Sequence, residues 1–249
     1  MPNAFRERLQ RREPLIGTIV SVGSTDVVEV LAASGLDWLF IDAEHSPLAP
    51  ATVQQMVLAA GAVPCVVRLP ANDEVFIKQA LDAGAAGIMV PLVNSATEAA
   101  SVVRRAKYPP MGIRGVGTAR ALGYGYGIAD YVARANAETV VFVQAEHIDA
   151  VAAIDDIVAV PGLDGIFVGP FDLSASMGKP GQVSDPEVVA AIEKVGASAR
   201  GAGLPLGYFG ISPDSVAPWL ARGFNLIACG VDLMMLGAKA RETVAALRG

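Results

Sequence analysis

Eight short apolar runs, each followed by a segment of helical pattern, constrain this chain more than any other feature. They are Leu15–Val22, Trp38–Asp42, Pro64–Leu69, Gly87–Leu92, Val140–Glu146, Gly165–Gly169, Leu204–Phe209 and Asn225–Gly230. Most are continuously apolar and do not alternate with polar residues. Strands buried on both faces, in a parallel sheet covered by helices, have this pattern. The intervening segments carry helix punctuation. Ser95-Ala-Thr-Glu98 and Ser184-Asp-Pro-Glu187 read as capping boxes, and Ser212-Pro213 as an N-cap with proline in the first turn. Asn72 precedes Asp73 and Glu74, whose charges suit the positive end of a helix. Gly35, Gly84, Gly203 and Gly223 stand where helices end and the next run approaches.

Eight β-then-α units in 249 residues predict an α/β fold, a (β/α)₈ TIM barrel, as a single domain over 1–249. The main competitor is an open doubly wound sheet. It would more often show a glycine fingerprint after the first strand, and Ser21-Val-Gly-Ser-Thr-Asp26 contains no G-x-G-x-x-G. One irregular stretch remains, Tyr108 to Ile128, with glycines at 112, 115, 117, 123, 125 and 127. Loops of that length in compact domains are usually functional or disordered.

Composition narrows the function. With 53% hydrophobic and 18% charged residues the chain can bury enough apolar surface to offset its entropy, which excludes a disordered linker. The net charge of −6 comes without a basic block, since Arg6, Arg8, Arg11 and Arg12 are mixed with Glu7 and Glu13. Neither nucleic acid nor an anionic membrane is expected as a partner. A mean hydropathy of +0.45 raises the question of a membrane span. The longest uncharged stretch, Ser46 to Val67, is broken by Pro47, Pro50, Gly61 and Pro64 and reads as helix then strand. Arg11-Arg12 ahead of an apolar run faintly resembles a signal peptide, but Glu13 and Pro14 intervene. Cys65 and Cys229 lie in apolar runs and read as buried thiols, with no disulfide framework or zinc cluster. A reducing, cytoplasmic compartment is the expectation.

In a barrel of this kind the active site lies at the C-terminal ends of the strands. The second run ends in Asp42-Ala-Glu44-His45, the third in Arg68, the fifth in Gln144-Ala-Glu146, and the sixth in Gly169-Pro170-Phe171-Asp172. Runs one, four and seven end mostly in Gly, Ser, Pro or Tyr. Carboxylates, one imidazole and one guanidinium thus gather on one part of the rim. Glu146 and Asp172, with Gln144 beside them, suit a hard divalent cation that keeps open positions. The alternative for each is a helix cap or a surface ion pair. His45 has Asp42 three residues earlier, and that pairing fixes a tautomer and supports a general base. Glu44 is expected to point away, by strand alternation. His147 is expected only to start a helix. Arg68 ends an uncharged run, and a guanidinium there needs an anion; it binds a carboxylate or steadies an enolate oxygen, or forms a structural salt bridge. No lysine ends an apolar run, and Lys179 sits in a loop, so a Schiff-base mechanism is disfavoured.

Ile41-Asp-Ala-Glu-His45, Arg114-Gly-Val-Gly117, Gln144-Ala-Glu146 and Gly165-Ile-Phe-Val-Gly-Pro-Phe-Asp-Leu-Ser174 together resemble the class II, metal-dependent pyruvate aldolases. These include the 4-hydroxy-2-oxoheptanedioate and 2-keto-3-deoxy-sugar-acid aldolases, related to the citrate lyase β superfamily, and the resemblance covers nearly the whole chain. It implies a homohexamer with an exchanged C-terminal helix. It implies Mg²⁺, Mn²⁺ or Co²⁺ held by Glu146 and Asp172, and a 2-keto acid chelating the metal. It further implies Arg68 at the enolate oxygen and His45 with Asp42 as an acid/base pair acting through a water. Gln144 and the backbone around Pro170, Phe171 and Asp172 would hold the keto acid, and Asp82 would reach a neighbouring subunit's site. His147 departs from the Thr or Ser usual at its position, and Ala119–Gly127 lies in the variable part. The expected activity is reversible cleavage of a 4-hydroxy-2-keto acid to pyruvate, or a related 2-keto acid, and an aldehyde. The alternatives are a CoA-thioester lyase of the citrate lyase β type and a non-catalytic metabolite-binding barrel.

Overall fold

In a computed structural model, which describes residues 3–248, the eight runs form β1 (Leu15–Val20), β2 (Trp38–Asp42), β3 (Cys65–Arg68), β4 (Gly87–Val90), β5 (Val140–Ala145), β6 (Gly165–Val168), β7 (Leu206–Gly210) and β8 (Leu226–Val231). They close in sequence order into a parallel barrel, β8 pairing with β1. The helices are α1 (Asn3–Gln10), α2 (Thr25–Ala32), α3 (Pro50–Ala59), α4 (Glu74–Asp82), α5 (Ala96–Ala106) and α6 (Ile128–Glu138). They continue as α7 (Ile148–Ala152), α8 (Ile154–Val158), α9 (Pro170–Ser176), α10 (Pro186–Gly201), α11 (Pro213–Ala221) and α12 (Asp232–Arg248). The (β/α)₈ barrel is therefore the fold. Expected strand bounds and observed ones differ by at most two residues at either end.

The strands alternate between two cores. Trp38, Phe40, Val66, Phe142 and Phe167 point into the barrel and pack with Phe5 and Leu9 of α1, which closes the lower mouth. Leu39, Ile41, Val67, Val143 and Ile166 point outward against the helices. Both faces are apolar, which is why the runs did not alternate in sequence. Inside the barrel, aromatic rings meet edge to face: Phe40 and Phe167 at 5.6 Å, Trp38 and Phe167 at 6.4 Å. Such volume needs small residues across the sheet. A Cβ on Gly165 would lie 2.5 Å from the Phe142 ring, and one on Gly207 would overlap the Phe167 ring.

Helix punctuation is mostly as read. Ser95 accepts from Glu98 N, although Glu98 reaches back to Asn94 N and not to Ser95. Ser212 and Ser215 form a reciprocal capping box, and Asp73 caps α4. The Ser184 assignment is corrected: Asp185 is the N-cap of α10 and accepts from Glu187 N. Pro186 at N1 fixes that choice, since the cap immediately precedes the first helical residue. The buried-thiol reading holds for Cys65 and not for Cys229, which is only half-buried. The cause is α12. It would cover the outer face of β8, but Asp232 is its only buried residue among those described. Leu233, Met234, Met235, Leu236, Val244 and Leu247 on α12 are exposed. No helix among the described residues is long and apolar enough to cross a membrane.

The Tyr108–Ile128 stretch is pinned, not loose. Asn136 Oδ1 accepts from Tyr108 N at 2.7 Å, and the buried Arg114 guanidinium lies 4.7 Å from the Tyr108 ring. A short 3₁₀ turn covers Arg120–Gly125, with Gly123 and Tyr124 at φ of 59° and 55°.

Replacing Gly207 with Ala tests the interior packing. Overfilling beside Phe167 is expected to destabilise the barrel by about 1–3 kcal/mol, read from reversible denaturant unfolding; unchanged stability would mean the Phe167 ring has room to move.

Candidate active site at the strand C-termini

The parity that buries Phe40, Val66 and Phe142 continues up each strand. Asp42, Arg68 and Gln144 are the next inward positions on β2, β3 and β5, and Glu146 is the one after Gln144. The apolar interior therefore ends upward in a polar layer. Asp42 and Arg68 are register partners across β2 and β3, so their side chains meet. Arg68 Nε donates to Asp42 Oδ1 at 2.9 Å and Nη2 to Oδ2 at 2.8 Å. Both residues are buried. Burial pulls the Asp42 carboxyl upward, but the guanidinium and two backbone N–H groups overcome it and hold its pKa below the ordinary value. Burial also opposes the Arg68 charge, and Asp42, Glu44 and Glu146 outweigh it. Breaking such a pair leaves an unpaired buried charge, typically worth about 3–5 kcal/mol.

Two sequence expectations are corrected at this point. Glu44 does not point away. The strand ends at Asp42, whose Oδ1 accepts from Glu44 N at 3.1 Å and His45 N at 3.2 Å. That turn breaks the alternation and brings Glu44 Oε2 to 3.2 Å from Arg68 Nε. Nor does Asp42 pair with the His45 imidazole. It meets His45 through the backbone, and the imidazole Nε2 faces Glu44 Oε2 at 3.6 Å. The salt-bridge reading of Arg68 is met by Asp42, though its guanidinium also lines the mouth.

Glu146 is buried just beyond β5. Its Oε1 accepts from Leu92 N at 2.8 Å and its Oε2 from Gln144 Nε2 at 2.6 Å. Leu92, at φ 52°, turns its N–H toward the carboxylate, a contribution that apolar patterning could not reveal. A Cβ on Gly169 would sit 2.7 Å from Glu146 Oε2, so glycine there leaves the carboxylate its space. Burial pushes the Glu146 carboxyl up to about 7; the Leu92 N–H and Arg68 oppose this, while Glu44 and Asp172 add to it. Glu44 is likewise raised, first by burial. Asp172 lies in the first turn of α9, which starts at Pro170 directly after Gly169.

A cavity of about 200 Å³ opens at the upper mouth, lined by His45, Arg68, Gln144, Pro170, Phe171 and Asp172, with Phe40 and Phe209 among its apolar walls. Phe171 leans on Phe209 at 6.1 Å between ring centroids. A larger crevice of about 710 Å³, beside Arg8, Asp37, Cys65 and Arg120, opens at the strands' other ends and holds none of the rim carboxylates.

The donor set fits a divalent cation. Glu146 and Asp172 offer hard oxygens, and Gln144 Oε1 is a buried acceptor without a hydrogen-bond partner. Among the described residues no group of three or more His, Cys, Asp or Glu is placed to hold a metal. A site built on this pair would keep open positions for water and a chelating ligand. Asp82 is not brought to this mouth. It ends α4 near the strands' N-terminal side and accepts from Arg114 Nη2 at 2.7 Å. His147 caps α7, its Nδ1 accepting from Asp149 N at 3.2 Å, a role Thr or Ser would fill with a hydroxyl.

Residues 16–238 match the family described as HpcH/HpaI aldolase/citrate lyase, and the chain belongs to that family. It is 40% identical over 249 residues to a hydroxypyruvate/pyruvate aldolase of Roseovarius nubinhibens, covering 99% of this chain and 97% of that protein. It is 41% identical over 252 residues to a 4-hydroxy-2-oxo-heptane-1,7-dioate aldolase of Shigella sonnei, covering 100% and 96%. Among solved structures, an HpcH/HpaI aldolase/citrate lyase family protein of Burkholderia cenocepacia superposes with a TM-score of 0.94 at 36% identity, covering 99% of this chain and 100% of that one.

Asp172→Asn removes one anionic oxygen at nearly constant volume. Mn²⁺ affinity in calorimetry is expected to fall with little change in thermal stability; unchanged binding would place the cation elsewhere.

Proposed function

We infer that this protein is an aldolase that cleaves 4-hydroxy-2-keto acids to pyruvate, or a related 2-keto acid, and an aldehyde, and runs the reverse addition. The observation that carries the reading is the convergence of Gln144, Asp172, Arg68 and His45 on one small cavity, with Glu146 hydrogen-bonded to Gln144 behind its wall, in a barrel of this family. Aldolase relatives aligned over the full chain support it.

Glu146 and Asp172 are the proposed ligands of Mg²⁺, Mn²⁺ or Co²⁺. When bound, the ion supplies Lewis acidity at the keto oxygen and a template for the keto acid. Gln144 and the backbone at Pro170, Phe171 and Asp172 orient that acid against the cavity floor. Arg68, held in one pose by Asp42, presents its positive charge where the keto oxygen becomes an enolate oxygen. His45 accepts the proton of the C4 hydroxyl. The C3–C4 bond then breaks, its electron pair passing into the enolate, and the proton taken by His45 returns through water to C3, which completes the keto acid and restores the free imidazole. Phe171 and Phe209 give the mouth an apolar flank that limits water.

A homo-oligomer, a hexamer by family resemblance, completes the proposal. The exposed apolar face of α12 supports it, because a second copy would cover that face and the half-buried outer side of β8. Asp82 would then serve a neighbouring site. The proposed compartment is the cytoplasm, in keeping with two free thiols. No nucleic acid or membrane partner is proposed.

A coupled pyruvate-release assay over a panel of hydroxy-keto acids tests the reading. Activity is expected to vanish on chelation and return with Mg²⁺, Mn²⁺ or Co²⁺, and to survive borohydride with pyruvate. A trapped lysine adduct with inactivation would sink it.

Arg68→Lys keeps the charge and loses the planar fork that engages Asp42 at two points. The kcat is expected to drop on the order of 10²–10³, the usual loss for one oxyanion donor. Wild-type steady-state kinetics in this variant would reduce Arg68 to a structural ion pair.

A further inference from the structure

We propose that a groove on the lower face of the barrel, between α1, α10 and α11, binds a small organic phosphate. The site lies at the strands' N-terminal ends, away from the catalytic mouth, and does not depend on the aldolase reading.

Two crevices meet there. One, of about 380 Å³, runs beside Arg12, Pro14, Gly223 and Asn225. The other, of about 700 Å³, runs beside Glu193, Lys194 and Arg222. Arg200 and Phe224 line both, so the two form one groove. Four cations and one carboxylate border it, in a chain whose net charge is −6. The cations come from separate parts of the chain, so no basic block in the sequence announces them. The carboxylate is partly taken. Glu193 Oε1 lies 3.5 Å from Arg222 Nε, and the Arg222 guanidinium covers the Trp219 ring at 4.8 Å. A helix end accounts for a little more of the charge, since Arg200 Nη1 donates to Arg222 O at 3.1 Å, just beyond α11. A guanidinium carries five N–H donors. Among the described residues Arg12, Lys194 and Arg200 have no carboxylate partner.

Arg12 turns this charged surface into a site. It follows α1, where Arg12 N donates to Leu9 O and Glu13 N to Arg8 O. That pair of bonds is a Schellman motif, and Arg12 holds its left-handed position at φ 60°. Glycine takes this conformation freely and a side chain resists it. The neighbouring helices follow the rule, with Gly203 after α10 at φ 74° and Gly223 after α11 at φ 87°. Arg12 is also half-buried, and its pKa is lowered first by burial and then by the charge of Arg200. Backbone, burial and like charge thus all disfavour an arginine here in the free protein. An anion between Arg12 and Arg200 reverses the last two. Guanidinium forks match phosphate oxygens at two points each, and a phosphate monoester brings a charge of about −1.5 to −2 at neutral pH. The rest of the ligand has room along the groove. Phe224 and Ala197 give it an apolar floor, and Lys194 and Glu193 offer a donor and an acceptor to hydroxyl groups. Such a ligand ties the exit of α1, the helix that plugs the lower mouth, to α10 and to the turn between α11 and β8.

The test uses the full chain, stripped of divalent ions by chelation so that no cation at the upper mouth holds phosphate. Glycerol 3-phosphate, inorganic phosphate and malonate are titrated at constant ionic strength in a calorimeter. Glycerol 3-phosphate is expected to fill one site per chain and to raise the midpoint of thermal unfolding, because it binds the folded state. Inorganic phosphate and malonate should bind more weakly. Arg12→Gly and Arg200→Gln should each weaken glycerol 3-phosphate about 10- to 100-fold, the usual loss for one charge-assisted contact. Arg68→Lys should leave the affinity as in the wild type. A second readout separates a ligand role for Arg12 from a structural one. Arg12→Gly relieves a strained backbone and a like-charge contact, so the unliganded variant should be at least as stable as the wild type. A less stable variant would make Arg12 structural and overturn the proposal. The absence of saturable binding, or unaltered binding in the two groove variants, would overturn it too. Equal affinity for phosphate and glycerol 3-phosphate would mean an adventitious ion only. Loss of binding in Arg68→Lys would place the anion at the catalytic mouth, and tighter binding of malonate would make the site one for dicarboxylates; either result refutes the assignment.

Discussion

A parallel strand shows its side chains alternately to two faces, and in a closed barrel one of those faces is the lumen. Every inward position below the rim must then be apolar or small, and every inward position at the rim opens on the mouth. Phe40 is followed two residues later by Asp42, Val66 by Arg68, and Phe142 by Gln144 and then Glu146. The same register that stacks the aromatic interior carries these polar ends to one level. Gly165 on β6 and Gly169 just beyond it make the scheme workable, the first clearing the Phe142 ring and the second the Glu146 carboxylate. Packing and chemistry are two heights on one set of strands.

The rim is short of positive charge. Asp42, Glu44, Glu146 and Asp172 face a single guanidinium, and Asp42 takes its bidentate fork. Of the others, Glu44 and Glu146 are pushed toward neutrality, first by burial and then by neighbouring carboxylates. A cluster of this kind is unfavourable until a cation enters, and hard oxygen donors with a neutral amide oxygen nearby match a divalent ion. Arg68 and the ion would divide the work. The arginine neutralises the β2–β3 side of the mouth, and a bound ion would neutralise the β5–β6 side.

The fold and the places of the rim residues after β3, β5 and β6 were legible because they depend on parity and strand ends alone. Arg68, Gln144 and Glu146 follow directly from where apolar runs stop. The acid/base side was misread because it depends on a turn. Once Asp42 folds its carboxylate onto two following N–H groups, alternation no longer predicts where Glu44 and His45 point. The Ser184 cap failed for a related local reason, Pro186 drawing the helix start one residue along. Leu92 carries no polar side chain, so its N–H toward Glu146 had no sequence signal. Cys229 was assigned to the core from its apolar neighbours, and only the course of α12 shows that it is left half-buried.

Lysine placement closes the argument about chemical class. The chain does contain a buried lysine whose pKa is lowered by desolvation, the property an amine nucleophile needs. It is Lys107, and it lies at the wrong mouth. Its Nζ donates to Asn136 O at 3.0 Å and Thr139 O at 2.6 Å, just before β5 begins, and faces Asp164 at 3.7 Å just before β6. Asp164 in turn accepts from Arg6 of α1 and from Val141 N. The amine is thus consumed in fastening the lower plug of the barrel, a barrel's length from the carboxylates. At the upper mouth the cationic groups are a guanidinium, which does not form imines, and an imidazole. Carbon–carbon chemistry there must draw its electrophilic assistance from a group other than lysine, and the cation proposed for Glu146 and Asp172 would supply it.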